Sequence, residues 1–157
     1  MDKQSSNTLS RIMTYAEKEC QARSLRLTPV RRRVLEMLVK HKHPVSAYQL
    51  LDELVEEGHK PAPPTIYRAL DFLLEQGFIH RLATQNNFVA CTHLGTLHMG
   101  VFLVCKRCKK TVELLGDSIR ETLVDQADQN EFSLEEALVE VNCLCQPCQS
   151  QQERDQP

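Results

Sequence analysis

The sequence predicts an α+β chain in two parts, an N-terminal winged helix-turn-helix unit and then a small unit of strands around one helix. Three observations carry this. Apolar residues recur at helical spacing in three punctuated segments between residues 28 and 77. Residues 78–91 then alternate like a hairpin, and beyond residue 98 strand-like runs accompany two matched cysteine pairs.

Composition sets the outer limits. With 157 residues and 41% apolar side chains the chain can bury a core without a disulfide framework. The opening "MDKQSSNTLSRIMTYAEKECQ" has no apolar segment fit for an export signal, and no run approaches membrane-spanning length. A cytoplasmic, reducing setting without membrane contact is the expectation. There the seven cysteines read as metal ligands or core residues rather than disulfides. The net charge of −2 conceals an asymmetry, with 13 Lys and Arg against 10 Asp and Glu through Thr84 and 6 against 11 beyond it. The basic first half is the part suited to a polyanion.

In chain order, a leading helix is predicted over 7–22, where Leu9, Ile12, Met13, Ala16 and Cys20 form a stripe with Cys20 as a buried thiol. In "RLTPVRRRVLEMLVKHKHP", Thr28 caps, Pro29 takes the first helical position, Val30, Val34, Met37 and Leu38 repeat, and Pro44 ends the element. "SAYQLLDELVEEG" follows with a capping box of Ser46 and Gln49, a stripe of Leu50, Leu51, Leu54 and Val55, and Gly58 as the stop. After "HKPAPP", the helix "TIYRALDFLLEQG" turns Ile66, Leu70, Leu73 and Leu74 one way and Thr65, Arg68, Asp71 and Glu75 the other. Strands at 78–83 and 87–91, joined by Gln85, Asn86 and Asn87, complete the wing. In such a unit the second helix of the pair enters the major groove of double-stranded DNA. Its early residues then lie near base edges, which nominates Thr65, Tyr67 and Arg68, with Tyr48 on the preceding helix near the backbone or a thymine methyl.

The second half reads as strands "MGVFLVC" and "KTVELL", a helix "DSIRETLVDQADQ" and a strand "ALVEV" leading into "NCLCQPC". Its strands offer apolar faces of a size suited to a dimer. Cys105 with Cys108, and Cys145 with Cys148, form two knuckles whose thiolates complete a tetrahedral sulfur shell for a structural zinc. A thiol oxidoreductase working through Cys105 and Cys108 is the rival from another class. A redox pair opens a helix, however, whereas "CKRCKKTVELL" runs into a strand. Cys143 could replace Cys145 as a ligand at the cost of the two-residue spacing, and reads as a spare or core thiol.

Taken together, "RLTPVRRRVLEML", "SAYQLLDEL", "PPTIYRALDFLLEQGFIHR" and the two cysteine pairs make the chain resemble the ferric uptake regulator family over residues 7–150, most closely its zinc-responsive branch. The resemblance implies a non-enzymatic dimeric repressor that binds operator DNA. It would have a DNA-binding domain at 1–91, a hinge at 92–98, a zinc-containing α+β dimerisation domain at 99–150 and a disordered tail at 151–157. It further implies a regulatory zinc on His80, Cys91, His98 and Glu113, making two zinc ions per chain. One thiolate, two imidazoles and a carboxylate suit zinc better than iron or manganese. His93 is the alternative to His98. Lys109 stands where a glycine often follows the first knuckle in this family. An iron- or peroxide-sensing relative would use nitrogen and oxygen donors, and Cys91 speaks against it.

Overall fold

The computed structural model describes residues 3–41, 43–95, 98–135 and 137–154. The chain divides into two compact units between Leu94 and Gly95. Residues 96 and 97 of the expected hinge, and 155–157 of the expected tail, lie outside the described residues.

The first unit comprises α1 (Lys3–Ala22), α2 (Pro29–Lys40), α3 (Ala47–Glu56), α4 (Pro63–Glu75) and the antiparallel hairpin β1 (Ile79–Leu82) with β2 (Asn87–Ala90). The helices form where the punctuation places them. Thr28 accepts from the Arg31 amide at the start of α2, and Ser46 and Gln49 exchange the two bonds of a capping box on α3. Helix α4 begins on Pro63 and Pro64, two residues before the predicted start, since proline is well suited to the first turn, where amides lack helical partners. At its end Gly77 takes φ +70°, its amide donates to Leu74 and the Phe78 amide donates to Leu73. This closing loop turns the chain directly into the wing. Ile12, Leu35, Leu38, Leu50, Ile66, Leu70, Leu73 and Phe78 are buried in the common core, and a short bridge from Val45 to Phe88 ties the hairpin to the helices. Val55, expected in the α3 stripe, is 55% exposed, because it lies a full residue step around the helix from buried Leu54.

The second unit is a three-stranded sheet ordered β4-β3-β5, with β3 (Gly100–Cys105) central, β4 (Thr111–Leu115) antiparallel to it and β5 (Leu138–Cys143) parallel. Helix α5 (Asp117–Gln129) makes the crossover to β5, which the parallel pairing requires. It starts at Gly116, where a Cβ would come within 2.5 Å of the Val101 side chain. Among the described residues of this unit, Met99, Val101, Phe102, Val104, Cys105 and Cys148 are the buried apolar ones. Val112, Leu115, Ile119, Leu138 and Val141 remain exposed.

One expectation is corrected. The tail does not begin at 151, because α6 (Gln146–Arg154) runs through it. The Cys148 and Gln149 amides both donate to the Cys145 carbonyl and nucleate the first turn, and glutamine propagates a helix well. A helix with no apolar stripe leaves no periodicity to read.

Candidate metal centres and nucleic-acid interface

The parallel register sets Cys143 at the end of β5 beside Cys105 at the end of β3, and the Lys106 amide donates to the Cys143 carbonyl at 2.9 Å. Each strand then continues into its cysteine pair. After β3 the chain reverses at once: the Lys109 amide donates to the Cys105 carbonyl at 2.8 Å, and Lys109 itself adopts φ +62°. This is the left-handed conformation that glycine adopts without strain. After β5, Cys145 and Cys148 span the first turn of α6.

The four sulfurs of Cys105, Cys108, Cys145 and Cys148 consequently lie within 4.8 Å of one another, with Cys108 Sγ and Cys145 Sγ 3.6 Å apart. Sulfurs around a tetrahedral zinc ion, with bonds of about 2.3 Å, stand about 3.8 Å apart. The donor set fits such an ion in type, number and spacing. Electrostatics point the same way. Amide donation from Cys108 and Cys145 lowers the Cys105 thiol to about 5, whereas thiol neighbours, Cys145 foremost, together with burial push Cys148 up to about 12. The cluster readily forms one thiolate and resists the next, so a cation is needed to carry the full set. Cys143 stays apart, its thiol facing the Val104 carbonyl at 3.6 Å. Cys20 is buried in the helical core, and desolvation raises its thiol.

The other four candidate ligands divide between the units. In the first, His80 lies on β1 opposite Val89, and Cys91 follows β2, fully buried, its amide donating to the Phe78 carbonyl at 2.9 Å. In the second, His98 precedes β3 and Glu113 lies on β4 opposite Phe102. The His98 Nε2 stands 3.0 Å from the Glu113 Oε1. His93 instead lies 3.3 Å from the Thr92 hydroxyl through Nδ1.

On α4, Thr65, Tyr67 and Arg68 are exposed while Ile66, Ala69 and Leu70 are buried, so the helix turns its polar face outward from its first full turn. Tyr48, one residue into α3, is 69% exposed. A residue missed in sequence adjoins this face: Arg31 stacks over the Phe72 ring of α4 at 3.7 Å. Three consecutive arginines give no sequence signal for which of them does so.

A winged helix-turn-helix unit followed by a small α+β unit with paired cysteine knuckles defines the structural class. The model of the ferric uptake regulator family matches residues 22–142, and the chain belongs to that family. It is 38% identical to the zinc uptake regulation protein of Escherichia coli (strain K12) over 143 residues, which cover 90% of this chain and 83% of that protein. A solved zinc uptake regulator complexed with zinc and DNA matches with a TM-score of 0.86 at 36% identity, over 92% of this chain and 97% of that one. The crystal structure of holo XcZur matches with a TM-score of 0.81 at 40% identity, over 90% and 99% of the two chains. No helix among the described residues is long and apolar enough to cross a membrane.

Proposed function

We propose that the chain is a zinc-responsive transcriptional repressor of zinc-uptake genes, which binds double-stranded operator DNA as a homodimer when its regulatory site is filled. The observation that carries this is the likeness, along nine-tenths of the chain, to a zinc uptake regulator in complex with zinc and DNA. In this reading Cys105, Cys108, Cys145 and Cys148 hold a structural zinc, and the clustered sulfurs support it. His80, Cys91, His98 and Glu113 hold the regulatory zinc, giving two per chain. The mixed sulfur, nitrogen and oxygen donors suit a borderline-soft ion. The His98–Glu113 pairing favours His98 over His93, since a carboxylate already stands beside that imidazole.

Zinc supplies a charge that binds one state of the protein better than others; the chain supplies the two states. The regulatory donors belong to two units with separate cores, so their joint ligation selects the arrangements of those units that bring them together. Selecting the DNA-competent arrangement decisively needs a differential of about 5 kcal/mol. The exposed apolar strands and α5 of the second unit support a dimer, and a dimer presents two α4 helices to successive major grooves. Tyr48, Thr65, Tyr67 and Arg68 make the contacts, and no catalytic residue is required.

The thiol oxidoreductase reading is less well supported. The second cysteine pair does open a helix, α6, as redox pairs do, yet its thiols share one cluster with the other pair. Metal analysis of protein purified in reductant, with duplex binding measured in zinc and in chelator, tests the proposal. Two zinc ions per chain and zinc-dependent binding are expected; a zinc-free protein with a redox-active disulfide would exclude the repressor.

A further inference from the structure

Of the three consecutive arginines on α2, one alone is available to an anion. Arg32 pairs with Glu17 at 3.0 Å and with Glu36, and Arg33 lies between Glu36 and Glu57. Both are neutralised by their own fold. Arg31 turns instead to α4, where its guanidinium lies over the Phe72 ring, 3.7 Å from the centroid, and its Nη1 donates to the Arg26 carbonyl at 2.7 Å. Among the described residues, no carboxylate pairs with Arg31 or Arg68. Thr28, Arg31, Thr65 and Arg68 line one concavity of about 200 Å³ between α2 and α4, which Val30 and Ala69 complete without an acidic residue.

We infer that this concavity holds one backbone phosphate of duplex DNA, with Arg31 as its anchor. The inference rests on the DNA-binding function proposed above. An anion site needs positive charge, further donors and little loss of freedom on binding. Here the charge is that of Arg31, with Arg68 also in the lining, and the hydroxyls of Thr28 and Thr65 add donors. The stack on Phe72 and the bond to Arg26 fix the guanidinium plane in advance, while the other N–H groups of its fork remain to meet phosphate oxygens. A phosphate held between α2 and α4 sets the depth and register of α4 in the groove. Arg31 is thus a positioning residue, and Arg68 a base-reading one.

Salt dependence separates the three arginines. A phosphate contact contributes about 0.9 to the log–log slope of affinity against salt and is indifferent to sequence. The zinc-loaded full chain is titrated with a fluorescent random-sequence duplex over a salt series. Arg31→Gln should make the slope shallower by about 0.9 per chain, Arg31→Lys should restore it, and Arg32→Gln should leave it unchanged. An unchanged slope in Arg31→Gln, an equal loss in Arg32→Gln, or a loss in Arg31→Lys matching that in Arg31→Gln overturns the clamp. The last result also exposes a purely structural effect of losing the Phe72 stack. Wild-type protein that fails to bind duplex in any salt would sink the DNA-binding function itself and the clamp with it.

Discussion

At the scale of single residues, the two arginines on the α4 side of the first unit separate position from sequence. If Arg68 reads a base edge, Arg68→Ala should cost about 1 to 3 kcal/mol on a selected operator and flatten discrimination at one position of each half-site. Competition between operator variants checks it, and unchanged discrimination removes Arg68 from the site. Lys109 bears a different strain. A side chain at φ +62° costs on the order of 1 kcal/mol relative to glycine, so Lys109→Gly should raise the melting temperature with zinc content unaltered. The cysteines differ among themselves as well. With the Cys105 thiol at about 5 and that of Cys148 at about 12, near neutrality the first is a thiolate and the second a thiol in the metal-free fold. Filling the site with metal must therefore expel protons that the crowded thiols hold, Cys148 foremost. Proton competition at Cys148 therefore weakens zinc binding across the range below about 12, whereas competition at Cys105 sets in as pH falls through about 5. Zinc calorimetry of the wild-type chain near neutrality, in buffers of different ionisation enthalpy, should find protons released on zinc binding; no release would show that the cluster is already fully ionised.

At the scale of elements, the first unit was legible because α2 and α3 announce their ends and α4 its exit, whereas α1 begins at Lys3, before the predicted 7, and α4 two residues early. Thr28 with Pro29, Ser46 with Gln49, and Gly58 and Gly77 each name a boundary by a local mechanism that tertiary structure did not override. The same devices can be tested one at a time. Ser46→Ala removes a capping box from α3 and should cost about 0.5 to 2 kcal/mol. Gly77→Ala forces a Cβ into φ +70° at the exit of α4 and should cost about 1 to 2 kcal/mol, both read from thermal unfolding. The second unit was legible where strands and cysteine spacing spoke, and illegible at α6, whose glutamine-rich turns carry no apolar stripe. Its first turn is closed by the Cys148 and Gln149 amides on the Cys145 carbonyl, backbone bonds that leave no mark in the residue types. The sulfur cluster was readable from spacing alone. Arg31 was not, because its partner Phe72 lies 41 positions away and the next two residues of α2 are also arginines.

At the scale of the whole molecule, the two sets of ligands should differ in affinity because they differ in what they must organise. Four thiols already gathered in one unit need little further ordering, and a sulfur-rich site of this kind can contribute roughly 10 kcal/mol to the folding of a small domain. Cys108→Ser should therefore lose the dimer or aggregate; a stable dimer lacking one zinc would show that the metal is dispensable to the fold. His80 and Cys91 belong to one unit and His98 and Glu113 to the other, so part of the binding free energy of a metal on all four would go into holding the two units in one arrangement. The proposed regulatory zinc is then the weaker one, leaving first as chelator is raised while the sulfur site stays filled. Lowering the pH should also empty the regulatory site, since imidazole ligands must be neutral to bind metal. Cys91→Ser should remain a folded dimer with one zinc per chain and lose zinc-dependent DNA binding. Graded chelator, with zinc content and duplex binding followed together, decides the matter. Release in a single step, or a Cys91→Ser protein that still answers to zinc, would eliminate a switch built on ligands from both units.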